Sequence, residues 1–168
     1  MVNTWNKPKL KLKKTRSEWL WDIVGYSVFI GAIIFLIYHW NALPAEVPAH
    51  YNAAGEVDRW GSKFELLLLP IIGVFLTLLM QWLERVPHIH NYPERLNHEN
   101  AEAFYFISKK LVNQLKNICL ILFSVILIES VSIALEKGNG LGIWFLPLAI
   151  GVPLIPIIIA LIKQSKIK

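Results

Sequence analysis

The sequence predicts an all-α membrane protein with four transmembrane helices, at about residues 19–40, 64–83, 115–135 and 141–162. Each segment is a run of apolar residues about as long as a helix needs to cross roughly 30 Å of hydrocarbon. Backbone groups in lipid must find hydrogen-bond partners within the chain, so these runs are expected to be helical. Only 17% of the 168 residues are charged, which is too few for the surface of a soluble domain. We therefore interpret residues 1–168 as a single integral membrane domain.

The basic residues are distributed unevenly among the segments that connect these helices. Of 17 Lys and Arg residues, 14 lie in the N-terminal tail, the second loop and the C-terminal tail, and three lie in the first and third loops. The positive-inside rule then predicts that both termini are cytoplasmic and that the first and third loops face outward. We expect a multi-pass protein of the bacterial plasma membrane. Its basic tail, residues 1–18, would lie along the anionic inner leaflet. Topology and lipid attraction account for the net charge of +5, so no nucleic-acid partner is predicted.

The second helix has a recognisable start, because Ser62 is followed three residues later by Glu65, the pattern of a capping box. The cytoplasmic segment 84–114 contains prolines that interrupt any helix. From about Asn97 onward, apolar residues recur at three- and four-residue spacing, which predicts an amphipathic cytoplasmic helix before the third transmembrane helix. This helix either runs straight into the third helix or first lies on the inner leaflet.

The first loop, residues 41–63, contains the polar stretch "PAHYNAAGEVDRWGSK" at 48–63. Two interpretations are open. The stretch is either an ordered outward loop, in which Asn52 to Gly55 form a turn, or a small site for a cation or a peptide amine. The spacing matches no standard calcium loop. The candidate ligand-binding residues in this loop are His50, Asn52, Gly55, Glu56, Asp58, Arg59 and Lys63.

The residues from His50 read H-Y-N-A-A-G-E-V-D-R-W-G-S-K, which resembles the domain-of-unknown-function family found in SdpI-type bacterial membrane proteins. The resemblance covers roughly residues 43–116 and the four-helix layout, as expected for a short four-helix member. It implies a non-enzymatic protein that gives immunity to a secreted peptide toxin, or that signals by holding a repressor at the membrane. The expected partners are the lipid bilayer and either a secreted peptide or a cytoplasmic regulator. The resemblance assigns no catalytic residue.

Glu129 is a carboxylate within the third apolar segment. An ionisable group at membrane depth is costly, so we expect it to face the bundle and to have a partner. We predict that Glu129 pairs with Arg59, Lys63 or His50 in one polar pocket on the outer side. The simpler alternative is an interfacial or neutral Glu129 that is hydrogen-bonded to a serine. A small transporter or ion-responsive membrane protein that uses Glu129 is the alternative function.

Three histidines, His88, His90 and His98, lie in the second loop and are weak candidates for a metal site. Solvated interfacial histidines are commoner than zinc ligands, so we predict neither a metal nor another cofactor. The sequence has no nucleophile elbow, P-loop or dinucleotide fingerprint, and we therefore do not expect an enzyme. A homodimer is a candidate assembly, because few small residues are available for close helix packing within one chain.

Overall fold

A computed structural model describes residues 7–168. It contains four α-helices and two β-strands in this part of the chain: α1 (Arg16–His39), β1 (Glu46–Tyr51), β2 (Val57–Ser62), α2 (Leu68–Arg85), α3 (Ala101–Ala134) and α4 (Phe145–Ser165). A 3₁₀ turn, Lys63–Leu67, precedes α2. All four helices are long and apolar enough to cross a membrane, which confirms the four predicted helical segments. The chain is therefore mostly helical, with the composition of a multi-pass membrane protein.

Helix α3 is the centre of the bundle, and each of the other three helices packs against it. The helices alternate in direction, so both chain ends lie at one end of the bundle, which we call the tail end. There, Arg95 Nη2 donates to the carbonyl of Gln164 at 2.7 Å, and Asn100 Nδ2 donates to that of Lys168 at 3.0 Å. We call the opposite end, which carries both strands, the hairpin end.

Helix α3 decides between the two alternatives for the segment before the third transmembrane helix. It runs without interruption through 34 residues, so the predicted amphipathic helix continues straight into the third helix. Lys109 and Asn113 lie in the segment predicted to be amphipathic, yet both of these polar residues are buried. The polar face of this segment is therefore satisfied by other helices rather than by water, and the helix has no reason to break at the membrane surface.

The first loop forms an antiparallel hairpin of β1 and β2, so the all-α prediction lacks this small sheet. Its register pairs Glu46 with Ser62 and Pro48 with Trp60, and it becomes irregular around His50. Ser62 is the cap that the sequence indicates, because its Oγ accepts a hydrogen bond from the Phe64 N–H at 3.4 Å. The cap opens the 3₁₀ turn first, and α2 follows it.

The N-terminal residues from Lys7 to Thr15 form an extended strap across the tail end. Lys7 Nζ donates to the carbonyl of His90 at 2.8 Å, and Leu10 and Leu12 pack against a core cluster that contains Phe104 and Tyr105. The leucines of this tail are therefore partly buried against the protein, and its position along the inner leaflet stays a prediction. The strap ends at Thr15, which caps α1 in a capping box with Glu18.

Two glycines lie at side-chain contacts between helices. Gly25 of α1 faces Asn117 of α3 so closely that an added Cβ would overlap the Asn117 side-chain oxygen, and Gly73 of α2 faces the Phe29 ring in the same way. Small residues are the usual means by which membrane helices approach closely. Gly31 has no neighbouring atom within 4 Å of an added Cβ.

We predict that Gly25→Ala destabilises the protein by about 1–3 kcal/mol, because the new methyl group would overpack a site whose neighbour Asn117 is fully buried. Gly31→Ala is the matched control, and it should be neutral or stabilising by up to about 1 kcal/mol, since alanine favours the helix. Denaturant unfolding of both variants in detergent measures the difference. Equal stabilities of the two variants would contradict the close α1–α3 contact.

Candidate functional site

The hairpin turn is built by Asn52. Its Oδ1 accepts the N–H groups of Ala54 at 2.9 Å and Glu56 at 3.1 Å, which is the way that asparagine closes a turn on its own backbone. Its Nδ2 donates to the Glu56 carboxylate at 3.0 Å. Gly55 has φ 78°, a left-handed conformation that glycine adopts without steric cost. The turn predicted from Asn52 to Gly55 is therefore confirmed.

The turn is attached to the third loop. The Leu141 N–H donates to the carbonyl of Gly55 at 2.9 Å, and an added Cβ on Gly55 would overlap the backbone of Gly142. Tyr51 Oη lies 2.8 Å from Ser130 Oγ of α3. Burial raises the pKa of Tyr51, and the negative charge of Glu129 raises it further. The hairpin is thus held against α3 and the loop that follows it.

Polar side chains remain exposed along the hairpin. His50 Nδ1 and Asp58 Oδ1 are 2.6 Å apart, with side chains 62% and 42% exposed. Arg59 contacts both carboxylate oxygens of Glu65 and donates to the carbonyl of Ala49 at 3.1 Å. The structure therefore brings together two pairs among the predicted site residues, His50 with Asp58 and Asn52 with Glu56.

The other candidates of the loop stand apart from these pairs. The Lys63 ammonium lies 5.2 Å from the centre of the Trp40 ring, a cation–π contact at the membrane-facing base of the hairpin. Gly55 shapes the turn rather than presenting a side chain. The outermost part of the hairpin is therefore a small polar edge on a fixed base.

Glu129 has partners different from the predicted ones. Its Oε1 accepts the backbone N–H groups of Asn139 at 3.0 Å and Gly140 at 2.9 Å. The predicted pairing with Arg59, Lys63 or His50 is therefore wrong, because the third loop supplies unsatisfied N–H groups closer to the carboxylate. The link between Glu129 and the hairpin is indirect, since Glu129 orders the loop that holds Gly55.

A second polar site, which the sequence analysis does not predict, lies inside the tail half of the bundle. Lys116 Nζ of α3 lies 2.9 Å from Asp22 of α1 and 2.5 Å from Glu84 of α2. Lys14 of the strap pairs with Asp22 and lies 3.3 Å from Glu84. The Lys116 and Glu84 side chains are 0% and 1% exposed. Two carboxylates and two ammonium groups thus form a neutral quartet, of which Asp22, Glu84 and Lys116 are buried and Lys14 is partly exposed.

Amides and a further ion pair surround the quartet. Asn113 and Asn117 donate to Asp22 Oδ1 at 2.8 and 2.9 Å. One turn toward the tail end, Lys109 lies 2.9 Å from Glu18 and donates to the carbonyl of Lys13. Such networks tolerate burial only when each charge has an opposite partner and further hydrogen bonds. We call this whole set the charge network: Lys14, Glu18, Asp22, Glu84, Lys109, Asn113, Lys116 and Asn117.

Two sequence signals point to the charge network. Asp22 lies within the first apolar segment, where an ionisable residue needs a buried partner as much as Glu129 does. Asn113, Lys116 and Asn117 follow the spacing of one helical face. Because that face is polar, the sequence alone would place it in contact with solvent. Only the position of Asp22 on α1 and Glu84 on α2, opposite this face, shows that it is internal.

The loop histidines do not converge. His90 is engaged at both ring nitrogens, with Ser108 Oγ at 2.7 Å and the carbonyl of Leu83 at 3.2 Å. Burial lowers the pKa of His90, which favours its neutral ring. Burial also raises the pKa of the neighbouring Tyr92 to about 12. Within residues 7–168, no three His, Cys, Asp or Glu side chains are arranged to hold a metal ion, so His88, His90 and His98 form no such group.

A family model matches the part of the chain that contains the hairpin. Residues 28–74 match the model described as a domain of unknown function (DUF1648), a span that begins in α1, contains the hairpin and ends in α2. An uncharacterized protein of Archaeoglobus fulgidus is 36% identical over 90 residues, which is 52% of this chain and 39% of the relative. The chain thus matches about two fifths of that relative's length. No solved structure matches the chain.

These matches confirm a domain-of-unknown-function segment in a chain with four membrane-type helices. The relationship to SdpI-type proteins and the family character of the motif itself stay predictions.

We predict that Glu84→Gln and Lys116→Met each destabilise the protein by about 3 kcal/mol, because each leaves an uncompensated charge in a buried site. The double variant should cost clearly less than the sum of the two single variants. The free energies of unfolding of the wild type, the two single variants and the double variant, measured in detergent, complete this double-mutant cycle. Glu65→Gln, which breaks the exposed pair with Arg59, is the control and should leave stability nearly unchanged. Additive effects of the two buried substitutions would refute direct coupling of Glu84 with Lys116.

Proposed function

We propose that this chain is a non-enzymatic membrane protein whose hairpin end faces outward and binds a secreted peptide, in an immunity or signalling role of the SdpI-like type. The observation that carries the proposal is the exposed polar edge of His50, Asp58, Asn52 and Glu56 on a hairpin fixed to α3 and the third loop. A fixed base lowers the conformational entropy lost on binding, which favours recognition.

The charge of the hairpin favours a cationic peptide. Residues 46–62 carry three carboxylates, Glu46, Glu56 and Asp58, against the single guanidinium of Arg59, and that guanidinium contacts Glu65. An acidic surface attracts cationic partners and rejects acidic ones. The predominance of basic residues at the tail end supports a cytoplasmic position for both termini and an outward position for the hairpin.

A labelling experiment tests this orientation. Ala53→Cys at the hairpin turn and Ser165→Cys at the end of α4 would be placed separately in a Cys119→Ser chain. We expect a membrane-impermeant maleimide to label intact cells only through the hairpin cysteine. Labelling of Ser165→Cys but not of Ala53→Cys would place the hairpin in the cytoplasm and reject an outward binding site.

We predict that Glu56→Gln/Asp58→Asn abolishes protection against a cationic secreted peptide, because it removes the carboxylates that would bind the peptide's amines. A strain without the gene, complemented with each variant, would be challenged with a panel of such peptides, and survival would be measured at equal protein abundance. Glu94→Gln/Glu99→Gln removes two exposed carboxylates from the tail end and is the charge-matched control. Unchanged sensitivity of the strain without the gene across the panel would reject the immunity role.

A transport or ion-responsive function is the second candidate, and the charge network favours it. Ionisable residues within membrane segments commonly mark ion or proton pathways. A cleft of about 630 Å³ between α1 and α2 reaches Asp22 and Glu84 from the tail end. The side-chain oxygens of Asn113 and Asn117 are buried beside these carboxylates, with no hydrogen-bond partner among the described residues. Because Lys14 and Lys116 already contact both carboxylates, such a site suits a proton, or a small cation that replaces one of these ammonium groups. Glu129 is less suited, because its Oε1 caps the third loop.

For this second candidate we predict proton or cation flux in liposomes that Glu84→Gln reduces about a hundredfold, the lower end of the contribution typical of a proton-transfer group. Glu129→Gln removes a carboxylate from the opposite end of α3 and is the control that should retain flux. If Glu129→Gln loses flux and Glu84→Gln retains it, Glu129 rather than Glu84 would be the group required for transport. Flux no greater than that of protein-free liposomes would reject the transport function.

A further inference from the structure

A groove of about 430 Å³ lies between α3 and α4 in the tail half of the bundle, with Trp21 of α1 at its side. Most of its wall is apolar, formed by residues such as Leu111 and Ile118 of α3 and Ile155 and Ile159 of α4. Helix α4 packs only loosely, since 11% of its apolar stretch is buried. The groove therefore lies where lipid chains would surround the protein.

The polar wall of the groove is formed by Lys110, Lys163 and Gln114. Lys14, Lys109 and Lys116 are neutralised by carboxylates of the charge network. By contrast, Lys110 and Lys163 have no carboxylate within ion-pair distance in the part of the chain that the structure describes. Two unneutralised ammonium groups beside an apolar channel match a ligand with an anionic head and an apolar tail.

We propose that this groove binds one anionic phospholipid, with an acyl chain along α3 and α4 and its phosphate between Lys110 and Lys163. From Lys110 to Ile118 the groove follows α3 for about 12 Å, at about 1.5 Å per residue. This is close to the ~15 Å thickness of one hydrocarbon leaflet. Basic pockets between membrane helices on the cytoplasmic side are known to bind phospholipid head groups. The site is distinct from the hairpin and does not depend on what the hairpin binds.

Trp21 allows a direct test of this proposal. The full chain would be placed in phosphatidylcholine nanodiscs that contain a small fraction of phosphatidylglycerol with brominated acyl chains, which quench nearby tryptophans. Subtracting the signal of Trp21→Phe isolates Trp21 from the other six tryptophans. We expect brominated phosphatidylglycerol to quench Trp21 at a mole fraction about thirtyfold lower than brominated phosphatidylcholine. This is the ratio that two basic residues give at their usual attraction to anionic lipid.

The double variant Lys110→Gln/Lys163→Gln should lose this preference, whereas Lys137→Gln/Lys166→Gln, which removes two lysines outside the groove, should keep it. Both variants keep the apolar wall of the groove intact, so both should fold. A cooperative thermal unfolding transition in phosphatidylcholine nanodiscs would confirm that each variant is folded. Equal quenching by the two lipids would overturn the proposal, as would the same preference in both double variants. Loss of the preference on addition of inorganic phosphate, at a concentration where sulfate has no effect, would identify a free-phosphate site and would also overturn it.

Discussion

Three carboxylates and two ammonium groups are buried in the tail half of this protein, and the partly exposed Lys14 adds a third ammonium group. The surrounding structure is organised by the need to neutralise these charges. Moving single charges out of water costs several kcal/mol each, so every member of the charge network must keep its partner. Lys116 joins α1, α2 and α3 through Asp22 and Glu84, and Lys14 ties the N-terminal strap to the same carboxylates. The strap therefore lies on the protein, and α3 continues unbroken through the level of the network, because a break would separate Lys109 from Lys116 and misalign them with α1.

The hairpin end uses polar groups in a different way. There, most hydrogen bonds are local, as in the turn closed by Asn52, and the charged pairs remain in contact with solvent. The backbone of Gly55 attaches the hairpin to the third loop, the hydroxyl of Tyr51 attaches it to α3, and Val47 is buried in a core cluster with residues of α1 and α3. Glu129 supports the first of these by ordering the third loop. The result is a fixed base with an exposed acidic edge, and for this reason we propose that a peptide binds at the hairpin end. The buried charges of the tail end compensate one another instead.

The outer faces of the bundle are shaped by the weak packing of α2 and α4. In each of these helices, 11% of the apolar stretch is buried, so both contribute more to the lipid-facing surface than to the core. Since α4 touches the bundle mainly through α3, a groove remains beside α3 near Lys110 and Lys163. In a soluble protein such a groove would be a packing defect, whereas in a bilayer it can be filled by lipid chains.

By itself, the sequence determined the four membrane-type helices, the turn from Asn52 to Gly55 and the cap at Ser62, because apolar length and turn chemistry depend on neighbouring residues alone. It left open which face of a helix is buried and which groups pair across the bundle. Lys109 and Asn113 have the pattern of a solvated face, and only the positions of Glu18 and Asp22 opposite them make that face internal. The partner of Glu129 was likewise decided by tertiary structure, because every residue except proline has a backbone N–H and the sequence does not mark the two that lie near this carboxylate. Pairing between distant residues depends on distances in space, and those are fixed only when the helices have packed.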